Sequence, residues 1–277
     1  MDELRERLRQ KYERLTPSER RIAEWLERSF EQLAFQTVNE VSQATGVSEA
    51  TIVRFARKLD FASFSDLQSE VQAAMQRHYS VGSRLAGLDV ADGPLAAAYE
   101  RDLENLRRTY EQIDEAVFEG AVKAIAHAPK VVVIGLRAST AAAVYIAFAL
   151  NLIRPRVSQL RIELDNMHDQ LLDLAPGDVL IAISLQRPAR KTLEVVQEAS
   201  EQYGVTVVAI TSSALSALAQ KAQYVLVAGS EGTFNSYAAT FSLAGALLEG
   251  VAARLRSSAT ERLARLDAAN SKDVYGS

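Results

Sequence analysis

Hydroxyls, amides and arginines recur at one kind of position in the second half of this chain, directly after short apolar runs. The run KVVVIG leads into Gly135, Leu136, Arg137, Ala138, Ser139 and Thr140. GDVLIAIS leads into Ser184, Leu185, Gln186 and Arg187, followed by Arg190, Lys191 and Thr192. VTVVAITS ends at Thr211, Ser212 and Ser213, and YVLVAG at Gly229, Ser230, Glu231, Gly232, Thr233, Phe234, Asn235 and Ser236. Each site lies where a strand gives way to a helix. Hydroxyls and the free N–H groups of a helix N-terminus make a cradle for an anion, and Arg137, Arg187 and Arg190 add positive charge. A small phosphorylated or carboxylated molecule fits this chemistry. Any one of these serines or threonines is equally an ordinary N-cap, as helix starts require. Four such loops converging on one sheet edge favour a site.

A second candidate lies nearer the N-terminus, in VNEVSQATGVSEATIVRFARK, residues 38–58. Val38, Val41, Val47, Ile52 and Phe55 keep helical spacing on either side of Gly46, which supplies the positive φ that a tight turn between crossed helices needs. Ser48 is a suitable N-cap for the second helix. With the apolar residues facing inward, Glu49, Ala50, Val53, Arg54 and Arg57 face outward, and Lys58 at the helix end is placed to meet a phosphate. A helix docked by an apolar stripe, with its other face free to enter a major groove, is how a recognition helix is built. An ordinary helical hairpin with solvated charges is the alternative for this window alone.

Material for catalysis is thin. There is no cysteine, which removes thiolate chemistry, disulfides and cysteine-ligated metals. The three histidines, His78, His127 and His168, are scattered, so no metal or other cofactor is expected. His168 beside Asp165 and Asp169 has the composition of an acid–base group, but an exposed helix histidine is the commoner case. Glu163, Glu194 and Glu231 are the other carboxylates near the sheet edge. An isomerase would need one of them tuned toward neutrality.

The 277 residues are 48% hydrophobic and 24% charged, with a formal net charge of −4. Such a chain suits two domains. The charged start MDELRERLRQ holds no signal core, and no run of about 18 apolar residues occurs. A cytoplasmic protein without membrane contact is expected. The slight acidity argues against non-specific nucleic-acid binding but not against a local basic face. From Ser48 to Lys58, Arg54, Arg57 and Lys58 oppose Glu49, three positive charges against one negative.

The elements that must position these residues follow in order. Residues 1–14 read as an amphipathic helix with Leu4, Leu8 and Tyr12 on one stripe. Thr16, Pro17 and Glu19 have capping-box spacing, and Ile22, Ala23, Trp25 and Leu26 give the next helix a buried side. Phe30, Leu33 and Phe35 are expected to pack behind it. After Lys58 comes a helix capped by Ser63 or Ser65. The stretch 80–94 carries Gly82, Gly87, Gly93 and Pro94 and reads as a linker. Two helices then run to about Ala126, the first with Leu103, Leu106 and Tyr110 as its inner stripe and the second capped by Asp114. Five apolar strands alternate with helices beyond that, including a helix at LSALAQKA and a long one from about Ser236. Residues 257–277 read as a short helix and a loose tail. The fold class is α + α/β: an all-helical helix-turn-helix domain over 1–79, then a doubly wound, flavodoxin-like parallel sheet of five strands within 95–256.

On these residues the chain resembles the RpiR-type transcription regulators, in which a helix-turn-helix domain precedes an SIS (sugar isomerase) domain. The stretch LTPSERRIAEWLERSFEQLAFQTVNEVSQATGVSEATIVRFARKLDFASFSDLQ carries the first domain, and VVVIGLRAST, GDVLIAIS and TVVAITSSALSALAQKAQYVLV carry the second. The resemblance implies sequence-specific binding of double-stranded operator DNA by a dimer or tetramer. It also implies control by a phosphosugar or related anionic metabolite, without turnover. It assigns Ser48, Glu49, Ala50, Thr51, Arg54, Arg57 and Lys58 to DNA and Ser139, Ser184, Gln186, Thr211 and Ser212 to the effector. Gly135, Arg137, Arg187, Arg190, Asn235 and Ser236 join the latter by their place at the strand ends. Two departures stand out. Where the family reads Ser-x-Ser-Gly-x-Thr, Ser184 is followed by Gln186, Arg187 and Ala189, and the second glycine of the first loop is Arg137. Arginine in both loops favours an anion while altering the usual phosphate cradle. A phosphosugar isomerase, or an SIS domain kept only for dimerisation, are the alternatives.

Overall fold

The computed structural model describes residues 7–8, 10–29, 33–34, 36–78, 81–86, 93–161, 167–186 and 188–274. They fall into two compact units, residues 1–89 and 90–277, each with its own apolar core.

Capping chemistry fixes the helices of the first unit. Helix α1 (Pro17–Arg28) opens on a complete capping box: Glu19 N donates to Thr16 Oγ1, and Thr16 N donates to the Glu19 carboxylate at 2.8 Å. Helix α2 (Val38–Thr45) repeats the device with Thr37 and Glu40 and ends at Gly46, whose φ of 64° is left-handed. Helix α3 (Glu49–Lys58) follows after three residues, then α4 (Phe64–His78), where Asp66 N donates to Ser63 Oγ, and α5 (Val81–Ala86). Leu8, Leu15, Ile22, Leu26, Val41, Val47, Ile52, Phe55, Leu59, Leu67 and Val71 are all buried in one cluster. Each such side chain stabilises the fold by about 1.5–3 kcal/mol relative to exposure. Within the expected linker, Val81–Ala86 is helical. Leu4, Phe30 and Phe35 lie outside the described residues.

The second unit begins with α6 (Pro94–Gln112) and α7 (Glu115–His127), the latter capped by Asp114, which accepts from Ala116 N and Val117 N. The chain continues as β1 (Val131–Gly135), α8 (Thr140–Ile153), β2 (Val157–Gln159), α9 (Met167–Leu171), β3 (Val179–Ser184), α10 (Arg190–Glu201), β4 (Thr206–Thr211), β5 (Tyr224–Val227), α11 (Ala238–Arg254) and α12 (Arg256–Val274). All strand pairings are parallel, in the order β2-β1-β3-β4-β5. This is the flavodoxin-like doubly wound arrangement, with its topological switch between β1 and β3. Period-2 alternation sends Val131, Val133, Ile181 and Ile183 into one apolar layer and Val132, Ile134, Leu180 and Ala182 into the other.

Three local expectations change. LSALAQKA forms only a 3-10 turn at Ala219–Lys221, because Ser216 caps it and the chain turns at once into β5. Residues 256–274 form a 19-residue helix in place of a short helix and tail, held by Arg262 Nε on the carbonyl of Asn151 at 2.8 Å. The buried side of α6 is polar: Asn105 is 1% exposed, whereas Leu103 and Tyr110 are 43% and 85% exposed. Among the described residues no single helix is long and apolar enough to cross a membrane.

Candidate functional site

In the helical unit, α3 buries Ile52, Phe55 and Ala56 and turns Glu49, Ala50, Arg54 and Arg57 to solvent, while Val53, expected on the same outward face, is half-buried. The exposed side is internally ordered. Arg54 Nη2 donates to Thr51 Oγ1 at 2.9 Å, and Thr51 Oγ1 lies 2.9 Å from Ser48 Oγ. Ser48 occupies the N-cap position, but its hydroxyl bonds Thr51 instead of a backbone N–H of the first turn. Glu49 accepts from Asn39 Nδ2 at 2.9 Å, and Asn39 Oδ1 accepts from Gln43 Nε2 at 3.0 Å. Asn39 and Gln43, exposed on α2, therefore continue the α3 face. They were not among the sequence candidates, although their i, i+4 spacing was legible.

Lys58, expected at a phosphate, is turned the other way. Its ammonium donates to Glu19 Oε2 at 2.7 Å, and its carbonyl accepts from Lys11 Nζ at 2.8 Å. Burial alone would raise the Glu19 carboxyl, but the Lys58 ammonium and the N–H and hydroxyl of Thr16 together hold it below the ordinary value of 4.5. A lowered folded pKa means that the pair stabilises fully above about pH 4.5 and less as pH falls through the lowered value. Denaturant unfolding followed by Trp25, the chain's single tryptophan, is therefore expected to lose stability below about pH 4.5 more steeply in the native chain than in Glu19→Gln. Parallel curves would mean that Lys58 is not held by Glu19.

In the second unit the strand ends do meet at one edge. Gly135 lies opposite Ile183, and Ser184 opposite Thr211. Gln186 N donates to Ser212 Oγ at 2.8 Å, joining the β3 and β4 loops. Ser139 Oγ lies 3.0 Å from the hydroxyl of Tyr237, joining the first loop to the start of α11. Ser236 Oγ accepts from Ala238 N at 3.2 Å, and Thr211 Oγ1 donates to Ser216 Oγ at 3.0 Å. Several of these hydroxyls thus tie loops together. Ser184 and Ser230, 6% and 4% exposed, differ: neither hydroxyl has a hydrogen bond within the described residues. Thr240, on the first turn of α11, carries a buried hydroxyl without a partner among the described residues.

The loop backbones are strained. Arg137, Gln186 and Asn235 have φ of 57°, 58° and 58°, a region that costs a non-glycine residue about 1–2 kcal/mol. The first two are positions where the resemblance finds departures from the family's pattern. Arg137 is exposed, and Arg187 lies outside the described residues. Arg190 does not add its charge to the edge. Its side chain is 93% exposed and bound to Glu194 of its own helix at 2.9 Å, a carboxylate that Lys191 also engages at 3.2 Å.

The arrangement can hold an anion by hydroxyls and amides. The histidines lie elsewhere: His127 Nδ1 pairs with the carbonyl of Lys123, and His168 Nδ1 lies 2.9 Å from Glu198 on an exposed surface. Among the described residues no cluster of His, Asp or Glu is placed to hold a metal ion.

Sequence residues missed at this edge include Tyr237, Ser216, Asn105 and Thr109. Asn105 clamps the backbone of Glu231, donating from Nδ2 to its carbonyl at 2.9 Å and accepting its N–H at 3.0 Å; Thr109 Oγ1 accepts from Gly229 N at 2.8 Å.

The description of a helix-turn-helix domain of the rpiR family matches residues 2–78, and that of an SIS domain matches residues 124–250. The sugar isomerase domain of an RpiR transcription factor from Sphaerobacter thermophilus is similar, at 31% identity over 63% of this chain and 98% of that one, with a TM-score of 0.60. The NanR protein of Vibrio vulnificus, solved in complex with ManNAc-6P, shares the fold over 96% of this chain and 98% of its own, with a TM-score of 0.64 at 19% identity.

Proposed function

Since the chain belongs to the RpiR family, helix-turn-helix regulators with an SIS domain, we propose that it is a DNA-binding transcription regulator whose operator affinity is set by a small anionic, sugar-derived effector. The observation that carries this reading is the α3 face. Arg54, Thr51 and Ser48 form an exposed, pre-ordered polar row on a helix whose opposite side is anchored by Ile52 and Phe55. Arg54 reads base edges, Arg57 meets phosphate, and Asn39, Gln43, Glu49 and Ala50 flank them. Residues 1–79 act as the DNA-binding module and 95–256 as the effector and oligomerisation module, joined through 80–94.

For the effector, the largely buried Ser184 and Ser230 offer hydroxyls and Arg137 and Arg187 the charge, while Ser139, Gln186, Thr211, Ser212, Asn235 and Ser236 shape the loops. Val144, Tyr145, Phe148 and Phe241 are exposed on α8 and α11, with Tyr145 and Phe241 stacked edge-on at 5.4 Å. An apolar face of this kind suits self-association, and a two-fold dimer would present two α3 helices to a palindromic operator. The NanR complex supports a phosphosugar as the class of effector.

A thermal-shift panel of sugar phosphates and sugar acids tests the effector. A true effector at about 100 times its Kd should stabilise the native state by about 2.7 kcal/mol, a rise of roughly 5–10 °C in a unit of this size. The same compound should change operator affinity in a gel shift. Turnover of a sugar phosphate in a coupled assay would overturn the regulator reading in favour of an isomerase.

A further inference from the structure

Given the anionic effector proposed for the strand ends, on which this inference rests, we infer that Arg101 of helix α6 is one of its ligands, an arginine supplied from outside the strand-end loops. The geometry begins with a stripe. Arg101, Asn105 and Thr109 are spaced i, i+4 and i+8 and so lie along one side of α6. The last two are buried and hold the loop after β5 by its backbone at Gly229 and Glu231. The helix passes so close that a Cβ on Gly229 would lie 2.7 Å from the Asn105 carbonyl oxygen. Helix and loop therefore form one rigid piece, and Arg101 is carried over the loop's far end.

There, a Cβ on Gly232 would lie 3.7 Å from Arg101 Nε and 3.4 Å from Ser236 N. A guanidinium and the amide preceding α11 thus flank one point that only glycine leaves open. Ser230, a buried residue whose hydroxyl has no hydrogen bond among the described residues, stands two residues earlier on the same loop.

The charge of Arg101 has no counter-ion in the described protein. The other arginines of α6 are paired: Arg107 with Glu104 and Glu111, at 2.7 and 2.6 Å, and Arg108 with Glu104 at 2.5 Å. Glu104, three residues after Arg101 and on its reachable side, is thereby engaged twice, which holds its carboxyl down at about 2. Residue 105, the i+4 position where a carboxylate would pair with Arg101, is the clamping asparagine. A half-buried cation left unpaired beside an open amide and a free hydroxyl is the donor set for a phosphate or carboxylate oxygen. The assignment makes α6, the helix by which the chain enters this unit, a direct reader of the effector.

The test uses the full-length protein with glucose 6-phosphate, a sugar acid and inorganic phosphate as probes at millimolar concentration, read by thermal shift and titration. Arg101→Gln should weaken the responding probe by roughly 10- to 100-fold, as loss of one charge-assisted bond does, and should flatten the salt dependence of its affinity. Arg101→Lys should recover part of the loss. Melting without probe should be unchanged, since Arg101 has no hydrogen bond or ion pair among the described residues. A probe that binds Arg101→Gln as tightly as the native chain overturns the assignment while leaving the effector site standing. No response of the native chain to any anion overturns the effector proposal and this inference with it.

Discussion

Arg54→Ala is expected to abolish operator binding while leaving the fold and oligomeric state intact. A good bidentate contact to a base is worth about 1–3 kcal/mol, and a dimer on a palindrome loses two of them, so affinity should fall by roughly 30- to 20,000-fold. Little opposes this in the protein itself. The guanidinium is exposed, and its internal bond is to Thr51 Oγ1, on its own helix. Alanine is a strong helix former, and Ile52, Phe55 and Ala56 go on anchoring the helix. Arg57→Ala provides the contrast. As a phosphate contact it should weaken all sequences alike and reduce the salt slope by about 2, about 1 for each protomer. Fluorescence anisotropy on operator and scrambled duplexes, with circular dichroism as the fold control, separates the two. Native-like affinity and discrimination in Arg54→Ala would end the assignment of α3 as the reading helix.

The helical unit was legible because its rules are local. Capping boxes span three residues, a left-handed turn needs glycine at 46, and an apolar stripe repeats within ten residues, so short windows of sequence carry the architecture. The sheet was legible for a related reason, since continuous β-branched runs between helices permit little besides a covered parallel sheet. What local pattern could not show is where polar side chains go when their partners are distant in sequence. Lys58 looked like a phosphate contact because Glu19, 39 residues away, is invisible to a window centred on the recognition helix. Ser139 and Tyr237 meet across 98 residues. Helix α6 is the clearest case. Leu103 and Tyr110 mark an apolar stripe, yet Asn105 and Thr109 are buried, because a loop 120 residues further on presents backbone groups that only polar side chains can satisfy.

The strand-end loops show how that long-range order bears on function. In a parallel sheet every strand delivers its following loop to the same edge, so hydroxyls after β1, β3, β4 and β5 had to converge. Their division of labour was not legible. Ser139, Thr211, Ser212 and Ser236 are engaged within the protein, whereas the hydroxyls of Ser184 and Ser230 have no hydrogen bond among the described residues. Arginine at 137 and glutamine at 186 hold left-handed conformations suited to glycine. Strain of this kind persists where the surrounding structure over-determines it, and it aims long side chains that a glycine loop would lack.

Gly135→Ala should collapse that edge. The 3-10 turn Arg137–Ser139 folds directly back over the end of β1, and a Cβ at residue 135 would lie 2.4 Å from the Ser139 carbonyl oxygen and 2.9 Å from its carbonyl carbon. Both are backbone atoms, so no rotamer change relieves the clash. Gly135 is the buried last residue of β1 and is paired with Ile183, which holds the strand end in place. The turn must therefore move, taking Arg137 from its position, parting Ser139 from Tyr237 and breaking the bond from Thr140 Oγ1 to the Gly135 carbonyl. Overpacking of this severity costs about 3 kcal/mol, enough to lower the melting temperature of a unit this size by roughly 6–12 °C. Effector-dependent stabilisation should vanish as well, even at temperatures where the sheet remains folded, because the displaced turn no longer meets α11. Calorimetry with and without the responding sugar phosphate measures both losses. The α3 face lies in the other unit, so operator binding without effector should persist in the cold. An alanine at 135 that melts like the native chain and keeps its effector response would show that the first loop is neither as tightly closed nor as central to the edge as its geometry requires.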